Sequence, residues 1–123
     1  METVSVKIPA SPAYLQIVRL IASGLASRLG FNIDEIEDLK IGVDELCAYL
    51  TGAQGRSGSL QITFEVHDQK LKIEGAGDFE TGQKIRTELT EFSRMILDTV
   101  VDRASLEQNG GSPVFSLEKS KTP

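Results

Sequence analysis

The sequence holds a single cysteine, Cys47, and a single histidine, His67. One cysteine cannot form an internal disulfide, so nothing points to an oxidising compartment. One histidine, with no second histidine or cysteine at ligand spacing, excludes the usual zinc arrangements, and no metal site is expected. Positive charge is also scarce: 13 Lys and Arg stand against 18 Asp and Glu, for a net charge of −5. That balance argues against direct nucleic-acid binding, whose affinity rests on cations meeting phosphates. There is no long apolar run either. The most apolar stretch, Tyr14 to Leu29, is broken by Gln16, Arg19, Ser23, Ser27 and Arg28, so no membrane span is expected. The opening residues, Met1-Glu2-Thr3-Val4-Ser5-Val6, lack the basic-then-apolar pattern of a signal peptide. These absences leave a cytoplasmic chain with protein partners as the expectation.

What is present is an ordinary globular composition, 40% hydrophobic and 25% charged over 123 residues, enough for one domain. Val4, Val6 and Ile8 alternate with polar residues and predict a strand. Ser11-Pro12 opens a helix, with serine as N-cap and proline where its missing N–H costs nothing. Tyr14, Ile17, Val18, Ile21, Leu25 and Leu29 then give that helix one apolar face, and Gly30 stops it. Asn32 with Glu35 three residues on is a capping box, and Phe31 can staple onto Ile36. Ile36, Leu39, Val43, Leu46, Cys47 and Leu50 form the stripe of this second helix. Leu60, Ile62, Phe64 and Val66, followed by Leu71 and Ile73, predict a β-hairpin. Gly75 to Gly82 reads as a flexible stretch. Ile85, Leu89, Phe92, Ile96 and Val100 mark a third helix, and Val114 to Leu117 a closing strand. Residues 1–117 are expected as one domain and 118–123 as a frayed tail. The fold class expected is α/β, a two-layer sandwich of three helices on one face of a mixed sheet of about four strands.

The second helix carries Ile41-Gly42-Val43-Asp44-Glu45-Leu46-Cys47-Ala48-Tyr49-Leu50, preceded by the connection Gly30-Phe31-Asn32-Ile33-Asp34-Glu35-Ile36. With the element order, this resembles the anti-sigma factor and serine kinase family of the histidine-kinase-like (GHKL, Bergerat-fold) ATPases, from about Ser5 to Leu117. The resemblance implies a nucleotide held between the second helix and a glycine-rich segment. It also implies a glutamate acting as general base on a substrate serine, with an asparagine one turn later holding Mg²⁺ on the same helix face.

Here the glutamate position is Glu45, but the asparagine position is Tyr49, and a phenol is a poor ligand for a hard cation. Taken alone, Glu45 reads as a solvated carboxylate, one of six acids between Asp34 and Glu45, and Tyr49 as a partly buried aromatic. The implied adenine-reading aspartate falls on Gly75. Gly77 keeps one glycine of the following pair, Phe79 replaces the other, and Asp78 reaches in only if the loop rearranges. No glycine occurs between Gly82 and Gly110, so Thr90-Glu91-Phe92 stands where phosphate-facing backbone is implied. Ser112-Pro113 replaces a donor-rich turn.

The implied function is therefore an anti-sigma-type regulator that binds a sigma factor or an anti-anti-sigma (STAS-type) protein in a partner-switching circuit. Homodimerisation is also implied. Catalysis is not expected, Glu45 is vestigial, and Tyr49, Gly75, Gly77 and Asp78 are remnants of a nucleotide site with no cofactor expected. Two readings stay open beside this one: an active serine kinase using ATP and Mg²⁺, and an unrelated α/β binding module. The resemblance implies a basic partner-binding residue on the first helix, which counts to Arg19, beside Gln16 and Ser23; Arg19 is expected to be solvent-exposed.

Overall fold

The computed structural model describes residues 1–80 and 85–123. Strand β1 (Glu2–Pro9) leads through a short turn of 3-10 helix (Pro12–Tyr14) into helix α1 (Leu15–Leu29) and then α2 (Ile33–Thr51). Strands β2 (Gly58–Val66) and β3 (Lys70–Phe79) follow, then α3 (Glu91–Val100), β4 (Arg103–Asn109) and β5 (Ser112–Ser120). The start of α2 obeys the expected chemistry, whereas Ser11 caps the 3-10 turn and α1 itself begins behind Tyr14 with no side-chain cap. Ser11 Oγ accepts from Ala13 N, and Asn32 and Glu35 exchange both bonds of the capping box. Gly30 ends α1 with φ +87°, the left-handed backbone that favours glycine.

The strands form one sheet in the order β1-β2-β3-β5-β4, and every pairing among the described residues is antiparallel. One face buries Ile8, Leu60, Ile62, Phe64, Leu71, Ile73, Phe115 and Leu117, and the helices pack on that face. The other face is polar, as the period-two alternation requires. The α/β two-layer expectation therefore stands, with five strands among the described residues in place of about four and no parallel pair among them. The unforeseen strand is β4. Its inward residues are only Ala104, Leu106 and Gln108, too weak an alternation to announce a strand, and Gly110-Gly111 turn it back onto β5.

Four further expectations are corrected. The segment from Gly75 to Phe79 belongs to β3, paired on both sides with β2 and, through Ala76, with β5; the rest of that stretch up to Gly82 reaches residues outside those described. The tail expected to fray from Glu118 continues as β5 to Ser120, and Thr122 donates from both N and Oγ1 to Glu35 Oε2 at 2.7 and 2.9 Å. A buried carboxylate at the start of α2 needs such donors, so it draws the chain end in.

The third helix starts at Glu91, capped by Thr90; of its expected stripe Leu89, Ile96 and Val100 do pack on the core, but Phe92 does not and Ser93 goes in beside it. Ser93, Leu97 and Val100 are buried, whereas Phe92 is 71% exposed. In α1 likewise, Tyr14 and Ile17 lie outward while Leu15, Val18, Ala22 and Ala26 go in. The small residues on that inner face let α1 sit close to α2 and the sheet. Gly42 serves the same end in α2: a Cβ there would stand 2.9 Å from Val101 Cγ1.

Candidate functional site

The expected site residues on α2 do meet a second element, the start of α3. Glu45 Oε2 accepts from Ser93 Oγ at 2.7 Å. Ser93 Oγ in turn accepts from the Tyr49 hydroxyl at 2.8 Å and from Thr90 Oγ1 at 3.1 Å. Tyr49 completes the circuit by accepting from Thr90 N at 3.0 Å. Spacing of i, i+4 puts Glu45 and Tyr49 on the same side of α2, and the inward-facing Ser93 meets them. Burial pushes the Tyr49 phenol up, but its bonds with Ser93 and Thr90 outweigh this and leave it below the usual tyrosine range. Ser93 was not singled out in the sequence, and Thr90 only as part of Thr90-Glu91-Phe92. The available signal was a polar Ser93 inside an otherwise amphipathic helix.

The glycines of β3 have steric reasons of their own. A Cβ on Gly75 would lie 2.2 Å from the Phe115 ring, and one on Gly77 would lie 2.2 Å from the ring of Phe79. The aromatic rings take up the space that the missing side chains leave. Asp78 is exposed and stands opposite Ser59 in the ladder. Gly75, Gly77 and Asp78 all lie within β3, and no hydrogen bond joins them to Glu45 or Tyr49.

These residues do not fit a bound ATP·Mg²⁺. At the start of α3, Thr90 N is spent on Tyr49 and Ser93 N on Thr90 Oγ1, which takes up two donors that could otherwise face a phosphate. Glu91 adds a carboxylate at the same end. No buried side-chain polar atom among the described residues lacks a hydrogen-bond partner. No group of three or more His, Cys, Asp or Glu among the described residues could hold a metal ion. His67 faces Glu65 at 3.4 Å, and Cys47 is buried, its thiol pushed up to about 12 by burial first and by Asp44 second.

The expected partner residues on α1 form a second cluster. Arg19 is not freely solvated: its Nε donates to Asp44 Oδ1 at 2.6 Å and its side chain is 31% exposed. Arg19 Nη1 also donates to Gln16 Oε1 at 2.6 Å, and Ser23 Oγ donates to Arg19 O at 2.7 Å. Arg56, also unforeseen, donates to Leu50 O and Tyr49 O at 2.9 and 3.4 Å and so caps the last carbonyls of α2.

No protein-family model matches the chain. Among curated proteins it is similar to the serine-protein kinase RsbW of Bacillus pumilus, 32% identical over 135 residues, covering 93% of this chain and 83% of the relative. It is 35% identical to RsbW of Bacillus licheniformis over 121 residues, covering 94% of this chain and 71% of the relative. Among solved structures it resembles the RsbU and RsbW domains of Rv1364c from Mycobacterium tuberculosis, at TM-score 0.66 and 11% identity over 98% of this chain and 32% of that one. It also resembles the catalytic domain of histidine kinase ThkA, at TM-score 0.52 and 16% identity over 100% of this chain and 99% of that one. At such identities the two structures speak for the fold alone. No helix among the described residues is long and apolar enough to cross a membrane.

Proposed function

This chain belongs to the RsbW family of serine-protein kinases, and on that footing we propose that it is an anti-sigma-type regulator that acts by binding rather than by phosphoryl transfer. Its partners are a sigma factor and a STAS-type anti-anti-sigma protein that competes for it, in the cytoplasm, and it pairs as a homodimer. The observation that carries this reading is the closed network at Glu45. A carboxylate serving as general base must lie within hydrogen-bond reach of an incoming hydroxyl. Here Ser93 already donates to one of its oxygens, and Tyr49 replaces an amide that could hold Mg²⁺. The partner surface is assigned to Arg19 with Gln16 and Ser23, where a cation, an amide and a hydroxyl share one side of α1.

The second reading is an active serine kinase that phosphorylates the anti-anti-sigma protein, with ATP and Mg²⁺. The retained Glu45 and the kinase name of the relatives favour it. One experiment separates the two. The chain is incubated with radiolabelled ATP, Mg²⁺ and a STAS-type protein, and in parallel with a sigma factor. Retention of the sigma factor without label transfer supports the binding reading. Mg²⁺-dependent label on the STAS-type protein supports the kinase.

A further inference from the structure

We propose that Ser93 is an internal occupant of Glu45, and that the Glu45–Ser93–Tyr49–Thr90 circuit latches the start of α3 onto α2 with no nucleotide required. The inference rests on the reading of Glu45 as vestigial and concerns how the same site is regulated. A serine hydroxyl has one proton to donate and two lone pairs to accept with. In Ser93 all three are used, by Glu45, Tyr49 and Thr90. Ser93 thus fills its whole hydrogen-bonding capacity with groups of this chain. Tyr49 likewise donates to Ser93 while accepting from Thr90 N. Thr90 Oγ1 accepts from Ser93 N and donates back to Ser93 Oγ.

The direction of every bond is therefore consistent round the circuit, and each member satisfies the next. Such a network is worth most when complete and buried. Ser93 is 5% exposed, and Glu45 and Tyr49 are half-buried. The circuit joins residues 41 to 48 positions apart in sequence, so it is a tertiary tie between two helices. It does by protein groups what a ligand wedged between the helices would otherwise do. The start of α3 is thereby held in one position whether or not nucleotide is present, and one carboxylate oxygen of Glu45 is engaged by a protein hydroxyl.

Hydrogen exchange on the full chain, free of partners, tests this. The amides of Thr90, Ser93 and Arg94 should be protected without nucleotide and should not change on adding ATP·Mg²⁺. Tyr49→Phe keeps the ring but removes the hydroxyl, and should speed exchange at Thr90 at least about fivefold, with Ile73 in β3 as the reference for global stability. Ser93→Ala, which removes the oxygen at the centre, should act in the same direction at Thr90 and Arg94. Unchanged exchange at Thr90 in Tyr49→Phe overturns the latch, as does protection that appears only with ATP·Mg²⁺. Because no sigma factor or label transfer enters the measurement, the latch and the anti-sigma reading can fail separately.

Discussion

Asp44 and Glu45 are neighbours in α2, yet they bind that helix to two different elements: Asp44 to Arg19 of α1 at 2.6 Å and Glu45 to Ser93 of α3 at 2.7 Å. Successive residues on a helix point about 100° apart, so an acidic pair in the middle of α2 reaches both flanking helices. The family-resembling motif thereby becomes a structural hub. Changes there should disturb helix packing as well as any interaction with partners.

Arg19→Glu puts a carboxylate against Asp44 and should cost up to about 1 kcal/mol beyond abolishing sigma-factor capture, because a partly exposed pair is worth little but like charges repel. Combining Arg19→Glu with Asp44→Arg should recover the thermal midpoint without recovering capture. Restored capture in the double variant would remove Arg19 from the partner surface. Wild-type capture by the single variant would do the same.

Tyr49→Asn should not restore nucleotide binding. The asparagine would supply one Mg²⁺ ligand, but Gly75 still lacks a carboxylate and the start of α3 still lacks glycine. Each missing charge-assisted contact is worth about 1.5–3 kcal/mol, so two leave affinity weaker by roughly two to four orders of magnitude. Calorimetry with ATP and Mg²⁺ should show no heat of binding at micromolar protein, and a micromolar dissociation constant would contradict the reading.

Gly75→Ala should destabilise the fold by about 1–3 kcal/mol, because the new methyl enters the volume of the Phe115 ring in a packed core. A remnant of a nucleotide site with no packing role would accept alanine with no loss. Denaturant titration decides between them through the midpoint at constant slope.

Glu35 predicts an acid-side loss of stability. The amides of Asn32 and Thr122 hold its carboxyl below the usual range. Its folded value is depressed, so its contribution is complete above the unfolded value of about 4.3 and disappears as pH falls through the folded value. Glu35→Gln should lower stability near neutral pH, and its deficit relative to wild type should shrink below about pH 4. A deficit independent of pH would show that the hydrogen bonds, and not the charge, carry the effect.

Cys47 should resist alkylation in the folded protein. The thiol is fully buried and its pKa lies at about 12, so almost no thiolate exists near pH 8. Labelling by iodoacetamide should appear only in denaturant. Rapid labelling of the native chain would place Cys47 at the surface.

Local signals decided much of this protein. Ser11-Pro12, Gly30 and the Asn32/Glu35 box mark helix ends because capping chemistry acts within three or four residues. The stripe from Leu39 to Leu50 and the alternation from Leu60 to Ile73 mark the core because periodicity tells which face is buried. The Asp44-Glu45 motif pointed to the family for the same reason, being contiguous. The outward turn of Tyr14, Ile17 and Phe92 could not be read this way: both helices present more than one apolar face, and the choice depends on what is packed against them. Ser93 goes in where Phe92 was expected because Glu45 and Tyr49, more than forty positions earlier, satisfy its hydroxyl. Strand β4 and the docked end at Thr122 likewise exist through β5 and Glu35, partners distant in sequence or weak in pattern. Caps and stripes are properties of a window of chain. Whether a polar residue is buried is a property of its partner, and only folding brings that partner near.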